Sequence, residues 1–324
     1  MEMRDKPQLN KAVAPFLTKY QCGDFKLDEK GCQLVYEANK NLDKSYAKQH
    51  TTPLSTHFYK RIEKFIQTVP PQKYGIALDA CCGTGQLSLN IMKYHLFEQC
   101  YAVDISRPSV ELLEKRVKNE GISGVIPMVA NVMDSSFDDH YFDCVMGSFF
   151  LHHLPDNQAF FREMFRVIKP GGVICMTGEP GIASDHLESF LSRKIDRLFS
   201  LFKRGESSRQ EKSPQKNQPD NIPVLSDIWI YNERDIVRMM GEVGFTEISI
   251  NSWGRLQCMG NHLVNYLWFK MFDNNQPALV SRFMQIFHVL DKILFSTHPT
   301  DAFCYLRISA RKPSLDNDKA PTGR

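Results

Sequence analysis

The sequence is poor in the features that mark membrane-spanning, secreted and nucleic-acid-binding proteins. It has no run of about 18 apolar residues, and its first residues, MEMRDKPQLN, lack the apolar core of a secretion signal. It also lacks a dominant charge: 40 basic and 37 acidic residues leave a net charge of +3, which does not indicate nucleic acid as a partner. These absences predict a soluble protein and leave contact with a membrane surface open.

The cysteine pattern indicates neither disulfides nor a metal centre. The nine cysteines lack the paired spacing of a metal site, and Cys81 and Cys82 are adjacent, which is a poor geometry for a structural disulfide. We therefore expect reduced thiols, a cytoplasmic location and no bound metal. The 324 residues suffice for one large α/β domain with additions or for two modest domains.

The centre of the chain alternates between two hydrophobic periodicities. Short apolar runs predict strands, and amphipathic segments between them predict helices. This alternation indicates a doubly wound α/β fold, with a parallel sheet and helices on both faces. The predicted strands are 76–80, 99–103, 125–129, 142–148, 173–177, 246–250 and 303–310, and the predicted helices are 86–97, 108–119, 157–168 and 233–242.

The flanks and insertions are less regular. We expect a helical amino-terminal segment over 1–70, a main domain over 71–311 and a disordered tail over 312–324. Within the main domain a helical pattern at 184–201 is followed by a flexible loop at 203–223. The aromatic-rich segment 255–300 predicts helices at 262–272 and 278–295. They form either a substrate lid or an extension of the core. The basic residues between 193 and 216 suit either a solvated loop or an anionic membrane surface.

The stretch LDACCGTG, residues 78–85, leaves the first predicted strand. In open parallel sheets, ligands bind beyond the carboxyl ends of the strands, and glycines let the backbone approach them closely. Gly83 and Gly85 fit that role, but Ser88 stands where a dinucleotide-binding turn has its third glycine. Asp79 would repel a pyrophosphate and attract an ammonium group. The loop therefore favours a cofactor with an amino-acid end, such as S-adenosylmethionine.

Further motifs follow at the ends of later strands. They are Asp104, the segment beginning at Asn131, the sequence LHHL at 151–154 and the sequence IKPGG at 168–172. Together with the glycine loop they resemble class I S-adenosylmethionine-dependent methyltransferases, particularly the ubiquinone/menaquinone-type and small-molecule group. The resemblance is strong over 74–178 and looser over 228–250 and 303–311. It implies a seven-stranded, mostly parallel sheet and S-adenosyl-L-methionine as cofactor.

The resemblance also implies residue roles. Asp79 would steer the ammonium through the loop or a water molecule, the backbone of Gly83 and Gly85 would lie under the cofactor, and Asp104 would bind the ribose hydroxyls. Relatives usually carry aspartate where Asn131 stands, and either side chain can accept a hydrogen bond from the adenine amino group. The remaining expected cofactor contacts are Ile105 beside the adenine, Val132 over its face, and Ser148 at the end of the fourth strand.

Methyl transfer from a sulfonium requires alignment and exclusion of water, and a base only where the acceptor must lose a proton. Candidates for that base are His152, His153 and Glu179, which follow strands four and five. The two histidines equally suit a role in shaping the pocket. Phe149 and Phe150 either present a ring to the sulfonium or pack in the core.

These observations predict an enzyme that methylates a small, apolar or lipid-like metabolite. No Asn-Pro-Pro-Tyr-type motif follows the fourth strand, where Gly147 to Phe150 stand instead, so nucleic acid is not the expected substrate. The alternative is a methyltransferase-shaped scaffold that has lost catalysis. Oxidation with a nicotinamide cofactor is disfavoured by Asp79 and Ser88.

Overall fold

Strands and helices alternate through the central part of the protein. The computed structural model describes residues 26–41, 75–181, 228–229, 231–253 and 305–314. Helix α1 (Glu29–Lys40) precedes β1 (Ile76–Ala80), α2 (Gln86–Lys93), β2 (Gln99–Asp104), α3 (Arg107–Glu120) and β3 (Val125–Val129). Next come β4 (Phe142–Ser148), a 3-10 turn (Leu151–His153), α4 (Asn157–Val167), β5 (Ile168–Pro180), α5 (Glu233–Val243), β6 (Thr246–Trp253) and β7 (Tyr305–Arg311).

The seven strands form one open sheet in the order β3-β2-β1-β4-β5-β7-β6. Strands β1 to β5 pair in parallel, whereas β7 runs antiparallel to both β5 and β6. The prediction of a seven-stranded, mostly parallel, doubly wound sheet is therefore confirmed. The carboxyl ends of β1, β2 and β4 meet at one edge because the strands are parallel, and the loops that follow them lie there.

Apolar side chains cover both faces of the sheet, which is why helices pack on each side. Leu78 and Ala80 of β1 belong to a core shared with α1, α4 and α5, whereas Ala77 contributes to a second core with α2 and α3. Helices α1, α3, α4 and α5 begin at polar residues whose side chains cap them, whereas α2 begins at Gly85 without a side-chain cap. The side chain of Asp156 accepts a hydrogen bond from the Ala159 N–H at the start of α4.

Several element boundaries were predicted incorrectly. The helix expected over 86–97 ends at Lys93, because the chain turns at Tyr94 and His95 takes a left-handed conformation with φ 55°. Strand β5 is longer than the expected 173–177, because Ile168 already pairs with Phe142 and Pro180 pairs with Tyr305 of β7. The predicted helix over 157–168 ends one residue early, at Val167, where β5 begins.

Several predicted segments lie outside the described residues. They are the helices at 184–201, 262–272 and 278–295, the loop at 203–223, most of the segment 1–70 and most of the tail 312–324. The predictions of a substrate lid and of a basic surface therefore stay predictions.

Gly85 is the glycine whose replacement the fold tolerates least in the first loop. It has φ +81°, and a Cβ there would lie 2.1 Å from Cδ1 of Leu113, which is fully buried on α3. We expect Gly85→Ala to lower the free energy of unfolding by about 2 to 4 kcal/mol, from left-handed strain plus overpacking. Urea denaturation measures this change.

Gly121 supplies the matched control, because it also has a left-handed conformation (φ +62°) but a Cβ added to it would meet no atom within 4 Å. Gly121→Ala should cost only about 1 kcal/mol, the strain alone. Equal losses in the two variants would contradict the proposed contact with Leu113.

Candidate active site

The loop after β1 is fastened to the neighbouring strand through its backbone. The Cys82 N–H donates to the Val103 carbonyl at 2.9 Å, and the Gly85 N–H donates to the Cys82 carbonyl at 2.9 Å. Gly83 has φ +53°, and a Cβ added to it would find no atom within 4 Å. The backbone at Gly83 therefore borders open space at the carboxyl edge of the sheet, where a ligand can approach it.

Asp104 ends β2 and joins two loops. One carboxylate oxygen accepts from the Gly83 N–H and the other from the Ser106 N–H, each at 2.8 Å. Burial raises the pKa of this carboxyl above its ordinary value, although the N–H groups of Ser106 and Gly83 act in the opposite direction. Each oxygen retains a further lone pair, so the carboxylate can still accept hydrogen bonds from ligand hydroxyls.

Asp79 lies deeper than the sequence suggested. Its side chain is 1% exposed, and it accepts a hydrogen bond of 3.0 Å from the Ser88 N–H in α2. Burial raises its pKa to about 7. Its expected influence on an ammonium group therefore acts through the loop rather than by direct contact, and it stays a prediction.

The segment after β3 completes this part of the edge. The Ala130 N–H donates to the Asp104 carbonyl at 3.2 Å, which places Asn131 beside the end of β2. The Asn131 Oδ1 atom accepts from the Met133 N–H at 3.0 Å, so its amide NH₂ is the group left to donate to a ligand. Val132 is buried, whereas Ile105 is half-buried. The predicted adenine contacts of these residues stay predictions.

An ion-pair network holds the same segment against α4. Ser135 donates to a Glu163 carboxylate oxygen from its N–H, at 2.9 Å, and from its hydroxyl, at 2.5 Å. Arg166 contacts Glu163 at 2.7 Å and Asp139 at 2.6 Å. Burial opposes ionisation of Glu163, but the bonds from Arg166 and Ser135 outweigh it and lower its pKa. The loop that carries Asn131 is therefore anchored at its far end.

Two of the three predicted base candidates lie in contact. The His152 Nδ1 atom is 2.8 Å from a Glu179 carboxylate oxygen. Glu179 is fully buried, and it also accepts from the Phe150 N–H at 3.1 Å and the His152 N–H at 3.2 Å. Because this carboxylate acts as the acceptor, Nδ1 carries the proton and Nε2 is the basic nitrogen. The ring centroids of His152 and His153 are 3.9 Å apart.

The adjacent phenylalanines have opposite environments. Phe150 is 3% exposed and contacts the ring of Phe160. Phe149 is 43% exposed, has φ 56°, and makes an edge-on contact with Tyr305 at 5.5 Å. Phe150 is therefore the core residue of the pair, and Phe149 is presented at the carboxyl edge beside Ser148.

Sequence reasoning missed the contributions of later segments. Tyr305 and Arg307 of β7 reach this edge because β7 pairs with β5, and Arg307 lies opposite Thr177. Trp229 donates to the Leu154 carbonyl at 2.7 Å, and the Tyr231 hydroxyl donates to the Leu151 carbonyl at 2.9 Å. A local pattern contains no signal for such contacts, because the partners of these two bonds are 75 and 80 residues apart.

The residues at this edge fit a nucleoside-bearing cofactor. Open space lies over Gly83, a carboxylate with spare lone pairs ends β2, and the buried apolar side chain of Val132 lies next along the edge. A cofactor can approach the backbone in the open space, its ribose hydroxyls can donate to the carboxylate, and the face of its adenine can lie against the apolar side chain. The negative groups also suit a positively charged ligand better than a phosphate.

Comparisons with known proteins agree with this chemistry. A family model described as a methyltransferase domain matches residues 78–176. The demethylmenaquinone methyltransferase of Geobacillus sp. (strain WCH70) is 28% identical over 224 residues, which cover 68% of this chain and 91% of that protein. The demethylmenaquinone methyltransferase of Anoxybacillus flavithermus is 37% identical over 112 residues, 34% of this chain and 47% of that protein.

Among solved structures, phosphoethanolamine N-methyltransferase 2 of Haemonchus contortus, in complex with S-adenosyl-L-methionine, matches with a TM-score of 0.55. The identity is 16%, and the match covers 86% of this chain and 60% of that protein. The chain thus spans about three fifths of the length of this neighbour. At this level of identity the likeness shows the fold alone.

The fold, the ordered motifs and these relatives support a class I S-adenosylmethionine-dependent methyltransferase. Within that class it resembles the quinone-type and small-molecule methyltransferases. Its cofactor is S-adenosyl-L-methionine, which supplies an activated methyl group when bound. That Gly83, Asp104, Asn131 and Val132 hold it stays a prediction.

The pKa of Asp79 makes cofactor affinity dependent on pH. At a pKa of about 7, the ionised fraction rises about eightfold between about pH 6 and about pH 7.5. Because only the ionised form attracts an ammonium group, we expect S-adenosylhomocysteine to bind up to about eightfold more tightly at the higher pH. Calorimetric titration at both pH values measures this.

Two variants provide the controls. Asp79→Asn should flatten the pH dependence, because it removes the titrating group while keeping an acceptor for Ser88. Asp104→Asn should weaken binding at both pH values while a pH dependence remains, because its expected contact is with uncharged hydroxyls and Asp79 still titrates. A pH dependence that survives in Asp79→Asn would exclude Asp79 as its source.

Proposed function

We propose that this methyltransferase acts on a small lipid-like acceptor of the quinone type. The observation that carries the proposal is the extent of the likeness to demethylmenaquinone methyltransferase, which covers 91% of that protein. It therefore includes segments beyond the domain matched at 78–176. Acceptor-binding elements in this fold follow the later strands, so a likeness that includes them bears on the acceptor.

The His152–Glu179 pair supports an acceptor that must lose a proton. A hydroxylated aromatic ring becomes a strong nucleophile once a hydroxyl is deprotonated, and a neutral imidazole is suited to accept that proton. We propose His152 as this base. Glu179 orients it, since its carboxylate lies 2.8 Å from Nδ1 and fixes the tautomer in which Nε2 is the proton-accepting nitrogen. Burial of the pair limits access of water to the transferred proton.

The location of the reaction follows from the acceptor. In the described ranges, no helix has the length and apolar character needed to cross a bilayer. A lipid-like quinone resides in a membrane, so the proposal includes contact of the enzyme with a membrane surface. The cytoplasmic location stays a prediction from the cysteine pattern.

A direct assay tests the acceptor. Purified enzyme is incubated with methyl-labelled S-adenosylmethionine and chemically reduced demethylmenaquinone in detergent micelles, with phosphoethanolamine as a polar comparison acceptor. We expect label in the quinone fraction and none in phosphoethanolamine. Asp104→Asn, which lacks the expected ribose acceptor charge, should reduce the signal at limiting cofactor.

The opposite pattern would contradict the proposal. Label in phosphoethanolamine alone would identify a polar amine acceptor. No label in either acceptor, together with label in the protein or nucleic-acid fraction of a cell extract, would identify a macromolecular acceptor.

The proposed base makes a separate prediction. His152→Gln should lower kcat by about 100-fold or more, the usual contribution of general base catalysis, and should change the affinity for S-adenosylhomocysteine less than about twofold. His153→Gln is the matched control on the adjacent residue and should change kcat by less than about fivefold. Steady-state kinetics and calorimetry give the two quantities.

Other outcomes would exclude this role. Equal losses of kcat and cofactor affinity in His152→Gln would assign the residue to the shape of the cofactor pocket. A larger loss of kcat in His153→Gln than in His152→Gln would assign the base to His153.

A further inference from the structure

An exposed aromatic ring, that of Phe149, is held at the carboxyl edge of the sheet by a strained backbone conformation. Phe149 directly follows β4 and has φ 56°, a left-handed conformation that a bulky residue adopts only under strain. Its N–H donates to the Thr177 carbonyl at 2.9 Å, which fixes the backbone. Strain of this kind persists at functional sites, where the surrounding structure imposes it.

The ring of Phe149 packs directly on the backbone of β5, at a position where only glycine leaves room for it. A Cβ on Gly178 would lie 2.5 to 2.6 Å from three ring atoms, and Gly178 itself has φ +85°. Tyr305 then meets the ring edge-on, with ring centroids 5.5 Å apart and planes at 73°. Two unusual backbone conformations and an aromatic partner therefore hold a ring that is still 43% exposed.

The direction of this ring distinguishes acceptor from cofactor. The cofactor residues Gly83 and Asp104 lie at β1 and β2, on one side of β4. Phe149 instead lies over Gly178 of β5 and against Tyr305 of β7, on the opposite side of β4. A ligand on this ring therefore lies beside the cofactor rather than on it, where a methyl acceptor must be.

From this geometry we propose that Phe149 and Tyr305 form a platform that stacks the planar aromatic ring of the acceptor. The proposal rests on the proposed function for the identity of the acceptor and adds the residues that select it. An aromatic face offset-stacks on Phe149, and Tyr305 fixes the orientation of that ring by its edge contact. The platform selects flat acceptors over saturated ones of the same size.

The test uses two probes that differ in planarity, 1-naphthol and its saturated analogue decahydro-1-naphthol. Both are titrated into the complex of the enzyme with S-adenosylhomocysteine. We expect 1-naphthol to bind more tightly than the saturated probe. Phe149→Leu should lower the ratio of the two affinities by about three- to tenfold, the stacking contribution of an aromatic pair. Tyr305→Leu should remove part of it. Phe150→Leu, on the adjacent core residue, should leave the preference unchanged.

Separate control measurements test whether the Phe149 variants still fold and still bind the cofactor. Phe149→Gly removes both the ring and the left-handed strain, so its melting temperature should not fall, although the preference for 1-naphthol is lost. The affinity of Phe149→Leu for S-adenosylhomocysteine should change less than about twofold. A comparable loss of cofactor affinity would place the ring on the cofactor and overturn the proposal. Equal losses for the planar and saturated probes would also overturn it, because they would show packing volume alone.

The outcomes separate this proposal from the proposed function. Methylation of demethylmenaquinone that is insensitive to Phe149→Leu would leave the quinone function standing and reject the platform. A Phe149-dependent preference for 1-naphthol without methylation of the quinone would keep the platform and point to a different aromatic acceptor.

Discussion

Carboxylates that are buried or half-buried hold the loops at the carboxyl edge of the sheet, and the arrangement of the site depends on them. Loops that leave parallel strands carry backbone N–H groups with no partner in the sheet, and these need acceptors when they are buried. Asp79 accepts from Ser88, Asp104 accepts from Gly83 and Ser106, and Glu179 accepts from Phe150 and His152. Each carboxylate thus fixes a segment that carries predicted cofactor or acceptor contacts.

The same carboxylates set the electrostatic character of the site. Burial disfavours their ionised forms and raises the pKa of both Asp79 and Asp104, which is the cost of using them as structural acceptors. A ligand that carries positive charge relieves that cost, whereas a phosphate would increase it. S-adenosylmethionine carries a sulfonium and an ammonium group. The groups that fasten the loops therefore also favour this cofactor over a dinucleotide.

The far side of β4 has a different character. Here Glu179 orients His152, while Gly178 and Thr177 hold Phe149 in a strained, exposed position. All three β5 residues come from neighbouring positions in one strand, at the place where the register with β7 shifts between Thr177 and Glu179. The shift skips Gly178, so Thr177 pairs with Arg307 and Glu179 pairs with Leu306, while the Glu179 side chain bonds to the loop after β4. The proposed acceptor side of the site is thus formed at one irregular strand end.

The hydrophobic pattern of the sequence was enough to predict the features that neighbouring residues determine, namely strand bounds and the residues at strand ends. Three strands, Ile76–Ala80, Val125–Val129 and Phe142–Ser148, have the predicted bounds, because the short apolar runs that indicate them are formed by adjacent residues. The positions of Asp79, Gly83 and Asp104 at strand ends followed from the same pattern, whereas the methyltransferase class followed from the resemblance of the motifs to that family. The tertiary structure decided which of Phe149 and Phe150 is exposed, that Asp79 is buried, that His152 meets Glu179, and that Tyr305 joins the edge. These depend on pairing between β4, β5 and β7, and strand register over such distances has no signature in a single segment.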